Sequence, residues 1–236
     1  MKEVSDNFNL EEYYLELKKE VEREFNVVDN AKVMILGIGD AITSVLNLIR
    51  MNQNEIYKNH LKYSFISTGS TAINNFLGKI KFPKSQKTNY YTDIDYLEIG
   101  RNITDGLGAR GEPETALKAF ADGEKEIDEF LNKELDGIEL VIIIAALGGG
   151  TGTAITPLIN KKIKNMNIPV INVISLPFEW EGKKRSLTAA EYIPKFYETA
   201  DKVITINSNE LLNRVEKVMK RKLGITRHYN FISYTW

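Results

Sequence analysis

The residues best suited to do chemistry in this chain are Gly148, Gly149, Gly150, Thr151, Gly152 and Thr153, a run of glycines and threonines behind the apolar segment Leu140 to Ala145. Glycines let a backbone approach a ligand closely and adopt positive φ. Their N–H groups, with the start of a following helix, make a site for phosphate oxygens. Thr151 and Thr153 can add hydroxyl donors. No GxxxxGK[ST] pattern occurs, so this is not a P-loop with a lysine on the β/γ-phosphates. The plain alternative is a strand-to-helix turn that binds nothing.

A second glycine pair, Gly37 and Gly39, also follows a short apolar strand. Ile42 stands where a dinucleotide fingerprint needs its third glycine, so an NAD-type reading is incomplete. Cysteine is absent, which excludes disulfides, thiolate metal sites and a cysteine nucleophile. His60 and His228 are the two histidines and lie far apart in sequence, supporting neither a zinc site nor a serine triad. The acidic run Asp122 to Glu129 reads as a solvated helix face, and the basic run Arg214 to Lys222 as a helix surface. No residue is assigned a catalytic or metal-binding role.

The elements that must position these loops alternate in type. Strands are expected at Lys32–Leu36, Tyr63–Ser67, Leu140–Ala145, Pro169–Ser175 and Lys202–Ile206. Helices are expected at about Ala41–Met51, Glu114–Leu135, from the glycine loop to Met166, and Ala189–Thr199, with an amphipathic leading helix over Leu10–Phe25. Residues 79–91, rich in Lys, Ser, Thr and Asn, read as an exposed loop. The pattern predicts an α/β fold, a doubly wound, mostly parallel sheet with helices on both faces. The 236 residues suffice for one sizeable core. With 31 basic and 32 acidic residues there is no electrostatic case for a nucleic-acid or membrane partner. The longest apolar run, Val141–Leu147, is too short to cross a bilayer, and the charged N-terminus has no apolar h-region, so a cytoplasmic protein is expected.

Four segments in order resemble the bacterial division protein FtsZ and the wider FtsZ/tubulin superfamily. GGGTGT at 148–153 resembles the tubulin signature, and GLGARGEPE at 106–114 resembles the family's GLGAGANPE loop. LPFEWEGKKR at 176–185 resembles KPFNFEGKKR, and DKVITINSNELL at 201–212 a DSLITIPNDKLL-type segment. The resemblance covers about residues 31–212, leaving 1–30 as a leading extension and 213–236 as a basic and aromatic C-terminal segment. It implies GTP or GDP on the glycine loop, with Mg²⁺ as a candidate companion. By the same resemblance Gly37 and Gly39 belong to the first phosphate loop, Ala109 and Arg110 face the γ-phosphate, Glu181 and Arg185 lie by the ribose, and Ser208 replaces a ribose-contacting asparagine.

There are departures. The first loop reads Gly37-Ile38-Gly39-Asp40-Ala41-Ile42, where the family is glycine-rich, and a second loop reads ISTGSTAI at 66–73. Asp40 either faces the phosphates, repelling them unless neutralised, or caps the next helix and points away; the cap is the favoured reading. Only about two dozen residues follow Leu212, where the family continues with a central helix, a catalytic loop and a second domain. The expected function is therefore an FtsZ-like GTP-binding protein that associates with a full-length, filament-forming homologue and turns over little GTP alone. The alternatives are a nucleotide-free scaffold and a dinucleotide-binding protein.

Overall fold

The computed structural model describes residues 31–42, 45, 46, 49, 60–70 and 94–223. The expected leading helix, the 79–91 loop and the last 13 residues lie outside these, and the chain divides after Ala31. Six strands form one sheet: β1 (Val33–Ile38), β2 (Leu61–Ser67), β3 (Ile94–Glu98), β4 (Leu140–Ala146), β5 (Val170–Ser175) and β6 (Lys202–Ile206). Their order is β3-β2-β1-β4-β5-β6, and every neighbouring pair is parallel. The doubly wound α/β expectation is met. Between them run α1 (Arg101–Thr104), α2 (Pro113–Asp122), α3 (Glu124–Glu134), α4 (Thr151–Asn165), a 3₁₀ turn at Glu179–Glu181, α5 (Lys183–Thr199) and α6 (Ser208–Leu223).

The sheet separates two apolar cores. On one face Val141 and Ile143 of β4 join Leu36, Ile127, Ile155, Ile159 and Phe196. On the other Ile35, Tyr63 and Phe65 pack with Ile42 and Leu46, which are helical residues after β1. Gly37 belongs to this packing. It lies inside β1, and a Cβ there would sit 2.6 Å from Leu46 Cδ1, so its bareness lets the next helix close on the sheet.

Several elements differ from the sequence reading, among them the unexpected α1 and an α5 that starts six residues before Ala189. The apolar period over 114–135 suggests one helix, but the chain breaks at Gly123, where a Cβ would meet Ile99 at 3.0 Å. Edge strand β3 escaped notice because Asp95 and Tyr96 are exposed and it pairs on one side only. The basic run after Leu212 continues α6, a helix as expected there, and position 212 lies within it. The acidic face of α3 is solvated as expected, with Glu124 and Asp128 both bonded to Lys162.

Three buried polar side chains tie α4, β5 and α5 together. Asn160 of α4 and Asn172 of β5 exchange amide hydrogen bonds of 2.8 and 3.0 Å, and Asn160 also donates to Thr199 of α5 at 2.9 Å. All three are buried, so a lost partner is not replaced by water. Asn172→Val is expected to cost about 1–3 kcal/mol in chemical denaturation. An unchanged midpoint would show that the amide pair contributes nothing.

Candidate functional site

The strand order reverses direction between β1 and β4, so the loops leaving their carboxyl ends diverge and open a crevice there. After β4 the chain turns at Gly148 (φ 91°) and enters α4 at Thr151. That turn is packed from three sides. A Cβ at Gly148 would meet the Arg185 carbonyl at 2.9 Å, one at Gly150 the Ala109 Cβ at 2.6 Å, and one at Gly152 the Ala146 carbonyl at 2.8 Å. At Gly149 a Cβ would meet nothing within 4 Å among the described residues. One glycine of the loop therefore faces open space, at the start of a 15-residue helix whose first N–H groups have no intrahelical acceptor.

The two threonines brace the loop. Thr153, fully buried, accepts from Gly148 N at 2.9 Å, and Thr151 shares a 2.7 Å hydroxyl contact with Thr68. Thr68 in turn accepts from Ala109 N at 3.1 Å. It thus joins the loops after β2, before α2 and after β4. Sequence reading passed over it, although its one signal, a second hydroxyl behind the apolar Phe65-Ile66 and after Ser67, was present.

The loop after β1 closes the crevice from the other side. Gly39 has φ 94°, and a Cβ there would lie 3.1 Å from Gly152 N, so this loop rests on the α4 N-terminus. The Asp40 carboxylate accepts from Ser67 Oγ. Its Oδ2 lies 2.8 and 3.0 Å from where Cβ atoms of Gly69 and Gly108 would stand. It therefore turns in towards the neighbouring loops, which corrects the reading that it points away. Asp40 is exposed as a residue, yet partial burial of the carboxylate raises its pKa, with the Ser67 hydroxyl opposing the rise. Arg110 is exposed and left-handed (φ 51°), a conformation that glycine adopts with less strain.

Beyond β5, Glu181 pairs with Arg185 and accepts from Phe178 N at 2.9 Å. Lys184 pairs with Glu112, tying α5 to the loop before α2. Ser208 is buried and donates to the Leu176 carbonyl at 2.5 Å, so its hydroxyl anchors α6 to the end of β5. Asn207 caps α6 through the N–H groups of Asn209 and Glu210, while Asn209 accepts from Glu179 N at 3.1 Å. Among the described residues no group of three His, Cys, Asp or Glu side chains is arranged for a metal ion.

A family model described as the Tubulin/FtsZ family, GTPase domain, matches residues 32–216. The chain belongs to the Tubulin/FtsZ family. It is 29% identical over 192 residues to the cell division protein FtsZ of Pseudomonas aeruginosa, covering 81% of this chain and 43% of that protein. The FtsZ of Buchnera aphidicola from Schizaphis graminum is 37% identical over 129 residues, covering 55% of this chain and 32% of that protein. An empty FtsZ dimer from M. jannaschii superposes with a TM-score of 0.63 at 25% identity, covering 88% of this chain and 52% of its own. A GTPγS-bound CetZ2 protofilament from Haloferax volcanii has a TM-score of 0.60 at 18% identity, covering 82% and 57%. This chain spans less than half of the two FtsZ sequences.

Membership in the Tubulin/FtsZ family replaces the dinucleotide reading of Gly37 and Gly39. Ile42, where that fingerprint needs glycine, is buried in the smaller core. The FtsZ-like segments at 37–39, 106–111 and 148–153 meet at one crevice, through Gly39 on Gly152 and Ala109 on Gly150. Arg185 reaches the same place through its carbonyl beside Gly148. Ser208, like Thr153 and Glu181, has its side chain bonded to a backbone group.

Proposed function

We propose that residues 31–212 form a guanine-nucleotide-binding body whose phosphates lie on the α4 N-terminus against Gly149. The open face of Gly149 carries this reading, since the other three glycines of the loop are already packed against protein. The open backbone suits a phosphate group, because it offers N–H donors and leaves room for oxygens. Gly39, Ala109 and Arg110 would flank the phosphates, and Glu181 and Arg185 the sugar. Mg²⁺ would arrive on the nucleotide and be held by its phosphates.

Turnover by the 236-residue chain alone is proposed to be low. Among the described residues, the carboxylates of Asp40, Glu98, Glu112 and Glu181 are engaged by Ser67, Ser70, Lys184 and Arg185, which supports this reading. The chain would then act by joining a filament-forming homologue; the M. jannaschii dimer and the CetZ2 protofilament are relatives that assemble. Among the described residues no helix is long and apolar enough to cross a membrane.

The test is a titration with fluorescent GTP and ATP, competed by unlabelled GTP, beside phosphate release and co-sedimentation with a full-length FtsZ. Competable, GTP-selective binding with little phosphate release is the expected result. Absence of binding at about 1 mM ligand, weaker than about 4 kcal/mol, would favour the nucleotide-free scaffold, for which Asp40 in the crevice is the motive. Binding without co-sedimentation would remove the partner reading alone.

A further inference from the structure

A hydroxyl has one hydrogen to give and two lone pairs to receive with, so its contacts decide which way it donates. Thr68, directly after β2, is fully buried. Its Oγ1 accepts from Ala109 N at 3.1 Å and lies 2.7 Å from Thr151 Oγ1. A backbone N–H can only donate, so the Thr68 hydrogen must go to another group. Among the described residues Thr151 Oγ1 is its one other hydrogen-bonding contact. Buried donors are rarely left unpaired, so Thr68 donates to Thr151. Thr151 then keeps its own hydrogen for a further acceptor, and none of the described residues takes it. Thr151 is 7% exposed, and its Cβ lies 3.7 Å from where a Cβ of Gly39 would stand. Its unspent O–H thus lies at the first position of α4, beside the loop after β1 and two residues from the open Gly149.

We infer that Thr68 is a positioning residue for anion binding, one that commits the Thr151 hydroxyl to donate to a phosphate oxygen. The inference rests on the nucleotide reading above and deepens it. Three donors run in one direction, from Ala109 N–H through Thr68 to Thr151, and each bond polarises the next. A phosphate at the end of that chain meets a stronger donor than a lone threonine. Without the Thr68 hydroxyl, nothing fixes the direction in which Thr151 donates. A brace between loops would hold with either threonine as donor, whereas the ligand depends on which one donates.

The experiment is a double-mutant cycle on the GTP affinity of the full chain, read by competition against a fluorescent analogue. Thr68→Val, which keeps the shape, and Thr151→Val should each weaken binding about tenfold, or about 1.4 kcal/mol. The double variant should be no weaker than either single one, because Thr68 acts through the Thr151 hydroxyl. Thr68→Ser keeps the hydroxyl and should bind as the native protein does. Thermal unfolding identifies a variant that does not fold, and Thr68→Ala or Thr151→Ala then takes its place. Native affinity in either valine variant, or a serine variant as weak as the valine one, would overturn the inference. So would a loss of about 100-fold in the double variant, since Thr68 would then brace the loops independently of Thr151. If the native protein binds no GTP, the nucleotide reading itself fails and takes the inference with it.

Discussion

Gly149→Ala is expected to leave the domain folded while lowering its affinity for guanine nucleotide about 100-fold, or about 2.7 kcal/mol. A Cβ at this position meets no atom of the described residues within 4 Å, and Gly149 is not among the positive-φ glycines, so alanine is sterically and conformationally acceptable. Stability should even rise by up to about 1 kcal/mol, because alanine restricts the unfolded chain. The neighbours should behave in the opposite way. Gly150→Ala sets a methyl 2.6 Å from Ala109 Cβ, and Gly152→Ala sets one 2.8 Å from the Ala146 carbonyl. Both should destabilise by about 1–3 kcal/mol, a fall of roughly 2–4 °C in Tm per kcal/mol for a chain this size. Thermal unfolding and nucleotide titration of the three variants separate the two roles. Normal binding by Gly149→Ala would show that phosphate does not lie on this residue.

Glu134→Ala is expected to destabilise by about 2–4 kcal/mol at neutral pH. The side chain, at the end of α3, is 1% exposed and reaches β2, where Oε2 accepts from Ser64 at 2.8 Å and lies 3.1 Å from Lys62 Nζ. Lys133 lies 3.3 Å from Oε1. Removing the carboxylate leaves a buried serine hydroxyl unpaired and opens a cavity. Burial works to raise the Glu134 pKa, but the Ser64 hydroxyl and Lys62 ammonium outweigh it, and the net shift is downward. A lowered folded pKa means stability that is present above the unfolded value and lost as pH falls through the folded one. Glu134→Gln should therefore show its penalty at pH 7 and converge with the native protein in acid, measured by denaturant midpoints across pH. A penalty independent of pH would mean that shape, not charge, is what Glu134 contributes.

Much of this protein is determined by local sequence. Apolar runs such as Leu140–Ala146 and Lys202–Ile206 place central and edge strands because their length and branching suit nothing else, and their alternation with helices dictates a parallel sheet. GGGTGT marks the crevice because few other sequences combine a tight turn with a helix start. Helix breaks and weak edges are less legible. Gly123 interrupts a continuous apolar period, and Ile99 packs where a side chain there would stand. The roles inside the crevice belong to the tertiary structure alone. Gly37, Gly148, Gly149, Gly150 and Gly152 look alike in sequence, yet four of them fill packing contacts and one is open, since the difference lies in atoms from distant segments. Thr68 as a hub, Ser208 as an anchor and Asp40 turned inward follow from partners 83, 32 and 27 residues away, and no local pattern encodes such distances.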